Sequence, residues 1–262
     1  MKMLKIKDIE IGEGIPKVII PLMGTTDQEL LEELEVIKDL KPDIIEWRAD
    51  AYSKVEDLAA IQNLLETLST QLLNIPLIFT FRTYKEGGMK EIAGDYYSKL
   101  LKTVIQTKKA DLVDVELFTG ETNVKEVVTL AEENGVYIII SNHDFQQTPA
   151  KDEIIRRLET MKLLGGHISK IAVTPKNVQD ILTLLEATNT VKNNDRDHPL
   201  ITMSMGPLGL FTRLSGELFG SACTFGAGRM ASAPGQIPAD ELRIILNIFH
   251  KYLEKGTDDF RS

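Results

Sequence analysis

The sequence predicts an α/β protein of the (β/α)8-barrel class, a TIM barrel, with an N-terminal β-hairpin. Three observations predict it. Short apolar runs rich in β-branched residues alternate with segments of helical periodicity, eight such units can be counted, and 262 residues is the length this barrel needs. A doubly wound open sheet shares the alternation, because parallel strands are buried on both faces in either design. Unit count and length favour the barrel, read as one domain over residues 1–262 with the hairpin in residues 1–15.

In chain order, Leu4, Ile6, Ile9 and Ile11 flank Lys7-Asp8, the pattern of a small hairpin. The repeat starts at Lys17. Val18 to Met23 reads as a buried strand, and Thr26-Asp27-Gln28-Glu29 is a capping box ahead of Leu30, Leu31, Leu34 and Ile37 on one helical face. The following strand runs are Asp43 to Arg48, Leu77 to Arg82, Asp111 to Leu117, Tyr137 to Ser141, Lys170 to Val173, Leu200 to Met205 and Ser221 to Phe225. Between them lie helical patterns through Leu58 to Leu68, Tyr96 to Ile105, Val124 to Leu130, Ile154 to Leu164 and Val178 to Leu185. Thr148-Pro149 and Thr174-Pro175 have the residue types of an N-cap followed by a first helical residue, so two helices are expected to open there. The segment Leu208 to Phe219 is short, Thr190 to His198 is expected to be an exposed loop, and Lys255 to Ser262 a loose tail. A closing helix over Pro238 to Leu253 turns Leu242, Ile245, Leu246 and Phe249 inward.

Composition excludes several classes. With 30 Lys and Arg against 39 Asp and Glu, the formal charge of −9 is wrong for a nucleic-acid binder, which normally carries a basic face. The lone Cys223 cannot form an internal disulfide and reads as a small buried residue. The N-terminus lacks the apolar core of about 7–15 residues of a signal peptide, and no apolar run approaches ~18 residues. The chain is therefore expected in the cytoplasm, away from membranes.

A barrel places its site at the carboxyl ends of the strands. The polar residues closing the strand runs are Glu46 and Arg48, Arg82 with Glu86 beyond it, Asp114 and Glu116, His143 and Lys170. Met203 and Met205 close the seventh run, with Arg213 in the segment after it. The two-residue period of a strand sets Glu46 and Arg48 on one face and Trp47 on the other. Taken singly, each residue has a plainer reading. A strand-end lysine is more often a solvated group, a lone histidine more often structural, Glu46-Trp47-Arg48 an ion pair, and Arg213 a helix-surface residue. Gly226-Ala227-Gly228-Arg229 lacks the third glycine of a dinucleotide loop and the Gly-Lys-Ser/Thr of a P-loop. His167, His198 and His250 show no metal-ligand spacing, so no metal site is expected.

Seven motifs in order carry a more specific signal. These are Glu46-Trp47-Arg48, Phe79 to Arg82 with Glu86-Gly87-Gly88, Asp114 to Leu117, Ser141 to Asp144, Lys170 to Val173, Phe225 to Gly228, and Ala231 to Gln236. Together they resemble the type I 3-dehydroquinase family, from about Lys17 to the last helix. The resemblance implies a homodimeric barrel that converts 3-dehydroquinate to 3-dehydroshikimate without metal or cofactor, in the shikimate pathway. It implies Lys170 as the imine-forming lysine, His143 as general acid and base, and Glu86 as the group that orients it. Substrate contacts would come from Glu46, Trp47, Arg48, Arg82, Ser232 and Gln236, the carboxylate hold from Arg213, and apolar walls from Met203, Met205 and Phe225. Pro21 stands where some relatives present a serine, and Thr174 where methionine is common.

The chemistry accounts for these residue types. Losing a proton beside a ketone leaves a carbanion, and a protonated imine stabilises it as an enamine without any metal. Only about one ordinary lysine in two thousand is neutral at pH 7, so Lys170 is expected among apolar groups or cations such as Arg213. Histidine, with an ordinary value near ~6.5, suits both proton transfers, and the planar fork of arginine suits a carboxylate. The competing readings are a lysine-imine aldolase barrel, which would want a phosphate site near Gly206 to Gly209, and a binding module, which would not need Lys170 and His143 intact.

Overall fold

The computed structural model describes residues 4–12, 14–228 and 233–259, the side chains of 255–259 excepted. Strands β1 (Leu4–Ile6) and β2 (Ile9–Ile11) form the antiparallel hairpin, with Leu4 opposite Ile11 and Ile6 opposite Ile9. Eight parallel strands follow: β3 (Lys17–Leu22), β4 (Ile44–Arg48), β5 (Leu77–Thr80), β6 (Leu112–Glu116), β7 (Tyr137–Asp144), β8 (Ile168–Val173), β9 (Leu200–Ser204) and β10 (Cys223–Phe225). From β3 to β9 each strand pairs with the next in sequence, and β10 pairs with β3. The ring closes at Leu200 and Ser221, where the Ala222 N–H donates to the Leu200 carbonyl at 2.7 Å and the Thr202 N–H to Ser221 Oγ at 3.0 Å. Closure rules out the open sheet.

The helices are α1 (Asp27–Asp39), α2 (Leu58–Leu72), α3 (Gly94–Thr107), α4 (Glu121–Asn134), α5 (Lys151–Leu163), α6 (Val178–Asn194), the short α7 (Leu210–Leu214) and α8 (Gly216–Phe219), and the closing α9 (Ala239–Asp259). The capping box is present with a shift. Thr26 Oγ1 accepts the Glu29 N–H at 3.2 Å, but the Glu29 carboxylate reaches Thr25, one residue before the cap. Other expectations need correcting. Helix α6 starts at Val178 under an Asn177 cap, not at Pro175, because Thr174 is tied to the neighbouring loop through its Oγ1 on the Asp144 carbonyl. Helix α5 likewise opens at Lys151 under an uncapped Ala150. Residues Thr190 to Asn194 continue α6, held by buried Val191, so the expected loop is confined to Asp195 to His198. Helix α9 runs to Asp259, so residues 255–259 are helical, and the rest of the expected tail lies outside the described residues. Within α9, Leu242 and Leu246 are buried while Ile245 and Phe249 are half-buried.

Two apolar layers follow from the strand period. Outward residues such as Ile20, Trp47, Phe79, Val113, Ile140 and Ile171 meet the helices. Inward Ile19, Ile44, Ile78, Leu112, Ile139, Ile168 and Ile201 fill the barrel floor, and Ile6 and Ile11 of the hairpin plug it from below. With the floor packed shut, ligand access lies at the other end, where the inward residues turn polar.

Candidate active site

The predicted residues meet at the carboxyl ends of the strands. A cavity there is lined by Lys170, His143 and Glu86, by Glu46, Arg48 and Arg82, by Met203, Met205 and Phe225, and by Arg213 and Gln236. Trp47 is the exception, and the sequence expectation for it is corrected. Its side chain is sealed on the helix side of β4, edge-on to Tyr52 at 5.7 Å and Phe79 at 5.4 Å, because its strand neighbours Glu46 and Arg48 take the inward face. Ser232 lies outside the described residues.

Lys170 sits mid-strand on β8, buried at 4 % exposure, and its length carries Nζ up to the cavity. Nζ is 3.0 Å from Asp114 Oδ2 and 3.3 Å from Glu46 Oε1, and it lies over the Phe225 ring at 4.8 Å. The neighbours expected from the sequence were apolar groups or cations; carboxylates are what Nζ meets. Asp114 is shared. Its other oxygen takes Arg82 Nη2 at 2.9 Å and the Ser141 hydroxyl at 2.5 Å. Burial alone would raise the Asp114 carboxyl, but Arg82, Lys170 and the Ser141 hydrogen bond bring it down to about 2.

Arg82 lies past the end of β5 and gathers the acids. Its Nη1 is 2.9 Å from Glu116 Oε1 and 3.7 Å from Glu86 Oε2. Burial would lower its guanidinium, yet the charges of Asp114, Glu116, Glu86 and Glu46 outweigh burial and raise it. Arg48 is held in a fork by Asp50, at 2.8 and 2.9 Å, and the same carboxylate accepts the N–H of Met89 at 3.0 Å. Asp50 thereby joins the end of β4 to the loop that carries Glu86. That loop has glycine for a reason. A Cβ on Gly88 would stand 1.8 Å from the Arg82 carbonyl oxygen, and one on Gly87, at φ +84°, 2.2 Å from the Phe145 ring.

Glu86 lies across the end of β7. Its Oε2 accepts the His143 backbone N–H at 2.9 Å and faces His143 Nδ1 at 2.9 Å, while Oε1 accepts from Asn142 Nδ2 at 3.1 Å. Burial, then the positive charges of Arg82, Lys170 and Arg48, hold the His143 imidazole well below its ordinary value, so it is neutral near pH 7. Burial and the Glu116 charge push Glu86 up to about 8, against Arg82, Asn142 and the His143 N–H.

Arg213, on α7, is 1 % exposed. Its polar contacts among the described residues are the Pro234 carbonyl at 3.2 Å and the Met203 sulfur at 3.6 Å, and its Nε has no partner among them. Burial alone brings its guanidinium down to about 10, and no carboxylate of the described residues offsets that. A cation buried this way is built to receive an anion.

Asp114 and Ser141 stand in the sequence motifs without an assigned role in the site, and Asp50 and Phe145 appear in none of them. Asp50 could have been found by extending the alternation Glu46, Arg48 by one step. Phe145 comes from a loop, where no period exists to read. Among the described residues no group of His, Cys, Asp or Glu is arranged to hold a metal ion, and no helix is long and apolar enough to cross a membrane.

A closed barrel that buries so many ionisable groups at one end of its strands, against their desolvation cost, is an enzyme barrel. A family model described as type I 3-dehydroquinase matches residues 18–253. A 3-dehydroquinate dehydratase of Bacillus velezensis is 56% identical over 253 residues, 97% of this chain and all of the relative, and that of Bacillus subtilis is 56% identical over 251 residues, 96% and 98% of the two chains. A Clostridium difficile type I 3-dehydroquinate dehydratase, solved with covalently modified comenic acid, superposes with a TM-score of 0.92 at 46% identity, covering 95% of this chain and 98% of that one. The chain belongs to the type I 3-dehydroquinase family. The activity that goes with the family is the dehydration of 3-dehydroquinate, a hydro-lyase step of the shikimate pathway.

Proposed function

We propose that this chain removes water from 3-dehydroquinate to give 3-dehydroshikimate, and that it does so through an imine on Lys170. The observation that carries this reading is the joint placement of Lys170, the braced His143 and the unpaired Arg213 around one cavity. Arg213 takes the substrate carboxylate. The Lys170 amine attacks the ketone carbon, and water leaves as the protonated imine forms. His143 Nε2 removes a proton from the carbon beside the imine, and the electron pair moves toward nitrogen as an enamine. The enamine then returns its electrons, the adjacent hydroxyl departs with a proton from His143, and water hydrolyses the product imine to free Lys170. Glu46, Arg48, Arg82, Gln236 and, on the sequence resemblance, Ser232 contact the hydroxyls of the ring. Met203, Met205 and Phe225 supply its apolar walls.

The imine is itself the electron sink, so the proposed reaction takes neither metal nor organic cofactor. The family resemblance supports a homodimer working in the cytoplasm. An aldolase reading has nothing comparable to Arg213 in its favour: a buried cation without a counter-ion among the described residues suits the carboxylate of a ring acid. Borohydride added with 3-dehydroquinate should leave a reduced adduct on Lys170, located by peptide mass. Loss of activity with Lys170 unmodified would reject the imine. Lys170→Ala should form no adduct and lose roughly a thousandfold or more in turnover, followed by the ultraviolet absorbance of the enone product.

A further inference from the structure

Asn142 and Arg157 form a connection behind the site that the reaction does not use directly. Asn142 is buried on β7 between Ser141 and His143, with its side chain on the opposite face from theirs. Its Nδ2 donates to Glu86 Oε1 at 3.1 Å, and its Oδ1 accepts from Arg157 Nη1 at 2.8 Å. Arg157 reaches in from α5, anchored by Glu153 on its Nε at 2.7 Å and lying over the Phe118 ring at 5.4 Å.

Donor chemistry fixes the direction of this chain. A guanidinium only donates, so the amide oxygen faces Arg157 and the amide NH2 must face Glu86. Oε1 thus faces a donor, the amide NH2, whereas Oε2, besides accepting the His143 backbone N–H, faces a ring nitrogen that can accept, Nδ1 at 2.9 Å. A proton on Glu86 therefore sits on Oε2, where it has an acceptor. Two arrangements result. With Glu86 protonated, Oε2 donates to Nδ1 and the ring proton of neutral His143 is on Nε2, which cannot then act as a base. With Glu86 ionised, Nδ1–H donates to Oε2 and Nε2 is bare.

We propose that Asn142, locked in orientation by Arg157, is a positioning residue that favours ionised Glu86 and so leaves Nε2 of His143 free to take a proton. The value of that arrangement to catalysis rests on the reading of His143 given above. Other charged groups face the same pair from several elements. Arg82 lies on the loop of Glu86 and Glu116 on β6, Lys170 on β8 and Arg48 at the end of β4 act on His143, and Asp144 is 3.8 Å from Arg157. Of these, Arg82 approaches the carboxyl itself, with Nη1 3.7 Å from Oε2, beyond hydrogen-bond reach.

The test is a pH titration of the histidine ring nitrogens by ¹⁵N NMR in the free protein, with the His143 signals assigned by their loss in His143→Gln. In Asn142→Ala and in Arg157→Gln, the transition to the Nδ1–H form should move to higher pH by about one pH unit, and Arg157→Lys should restore it. Should Asn142→Ala not fold, Arg157→Gln on its half-buried helix position carries the same test. An unmoved transition in the foldable variants overturns the proposal, as does equal displacement in Arg157→Gln and Arg157→Lys. In that case the contact only braces α5 against β7. Because no substrate is present, failure to turn over 3-dehydroquinate would remove the functional reading and leave this result standing.

Discussion

Glu86 accepts the backbone N–H of His143 and faces the Nδ1 of the same residue, both at 2.9 Å through one oxygen, Oε2. One carboxyl therefore fixes where the imidazole is and which of its nitrogens carries the proton. The backbone bond ties Glu86 to the strand itself, so the pair moves as a unit with β7.

This pairing sets a pH dependence. Burial keeps His143 neutral, while Glu86 is pushed up to about 8, so the form with a bare Nε2 grows as pH rises through that value. The kcat/KM profile should climb toward pH ~8 and then level. In Glu86→Gln that limb should disappear, because the amide oxygen can still accept Nδ1–H but no longer titrates. A limb that persists unchanged in the variant would assign it to another group. Stability follows the opposite sign. The folded value of Glu86 lies above its ordinary 4.5, so the cost of its buried charge is absent below that pH and accrues as pH rises to about 8. Glu86→Gln should accordingly gain stability relative to the wild type at pH ~9 and not at pH ~4, read from urea midpoints.

Arg213 offers a charge-assisted bond that the free protein leaves unused. Arg213→Ala should raise KM by roughly 10–100-fold with a smaller effect on kcat, the loss of one such bond. Steady-state kinetics decide it, and an unchanged KM would take the carboxylate away from this residue.

Asp50 is a structural hinge of the site. Its carboxylate would be raised by burial, but the Arg48 fork and the Met89 and Arg82 N–H groups pull it below its ordinary range. Asp50→Ala should cost about 3–5 kcal/mol, because it leaves the buried Arg48 unpaired. Denaturant unfolding measures the loss, and hydrogen exchange at the Met89 amide should speed up as its acceptor disappears.

Trp47 is assigned to the core, and that can be checked against a role in binding. Its Nε1 has no partner, so Trp47→Phe breaks no hydrogen bond and should cost only about 1–2 kcal/mol of packing. KM should stay within about twofold of the wild type. A large rise in KM with stability intact would return Trp47 to the substrate.

Much of the molecule could be read from the chain. The run Val18 to Met23, the Thr26 cap and the apolar face of Leu30, Leu34 and Ile37 all lie where local chemistry dictates. So do the hairpin and the shortness of α7 and α8. Helix starts at Thr148-Pro149 and Thr174-Pro175 were misplaced because the proline signal reports a permitted position, and tertiary bonds such as Thr174 to Asp144 decided otherwise. Trp47 illustrates the same limit in the site. Its neighbours in sequence are site residues, but strand alternation sends its ring to the helices.

Local sequence determined the periods, and through them which side of each strand or helix is apolar and which residue types stand at strand ends. Those properties depend on backbone geometry within a few residues, about 2.0 residues per strand repeat and 3.6 per helical turn. The fold alone decided that Asp114 meets Lys170, 56 positions away, and that Arg82 joins three acids, two from β6 and one from the loop after β5, while Arg213 meets none among the described residues. Such meetings depend on closure between Leu200 and Ser221 and on the stagger of neighbouring strands, which convert distance along the chain into contact across the barrel.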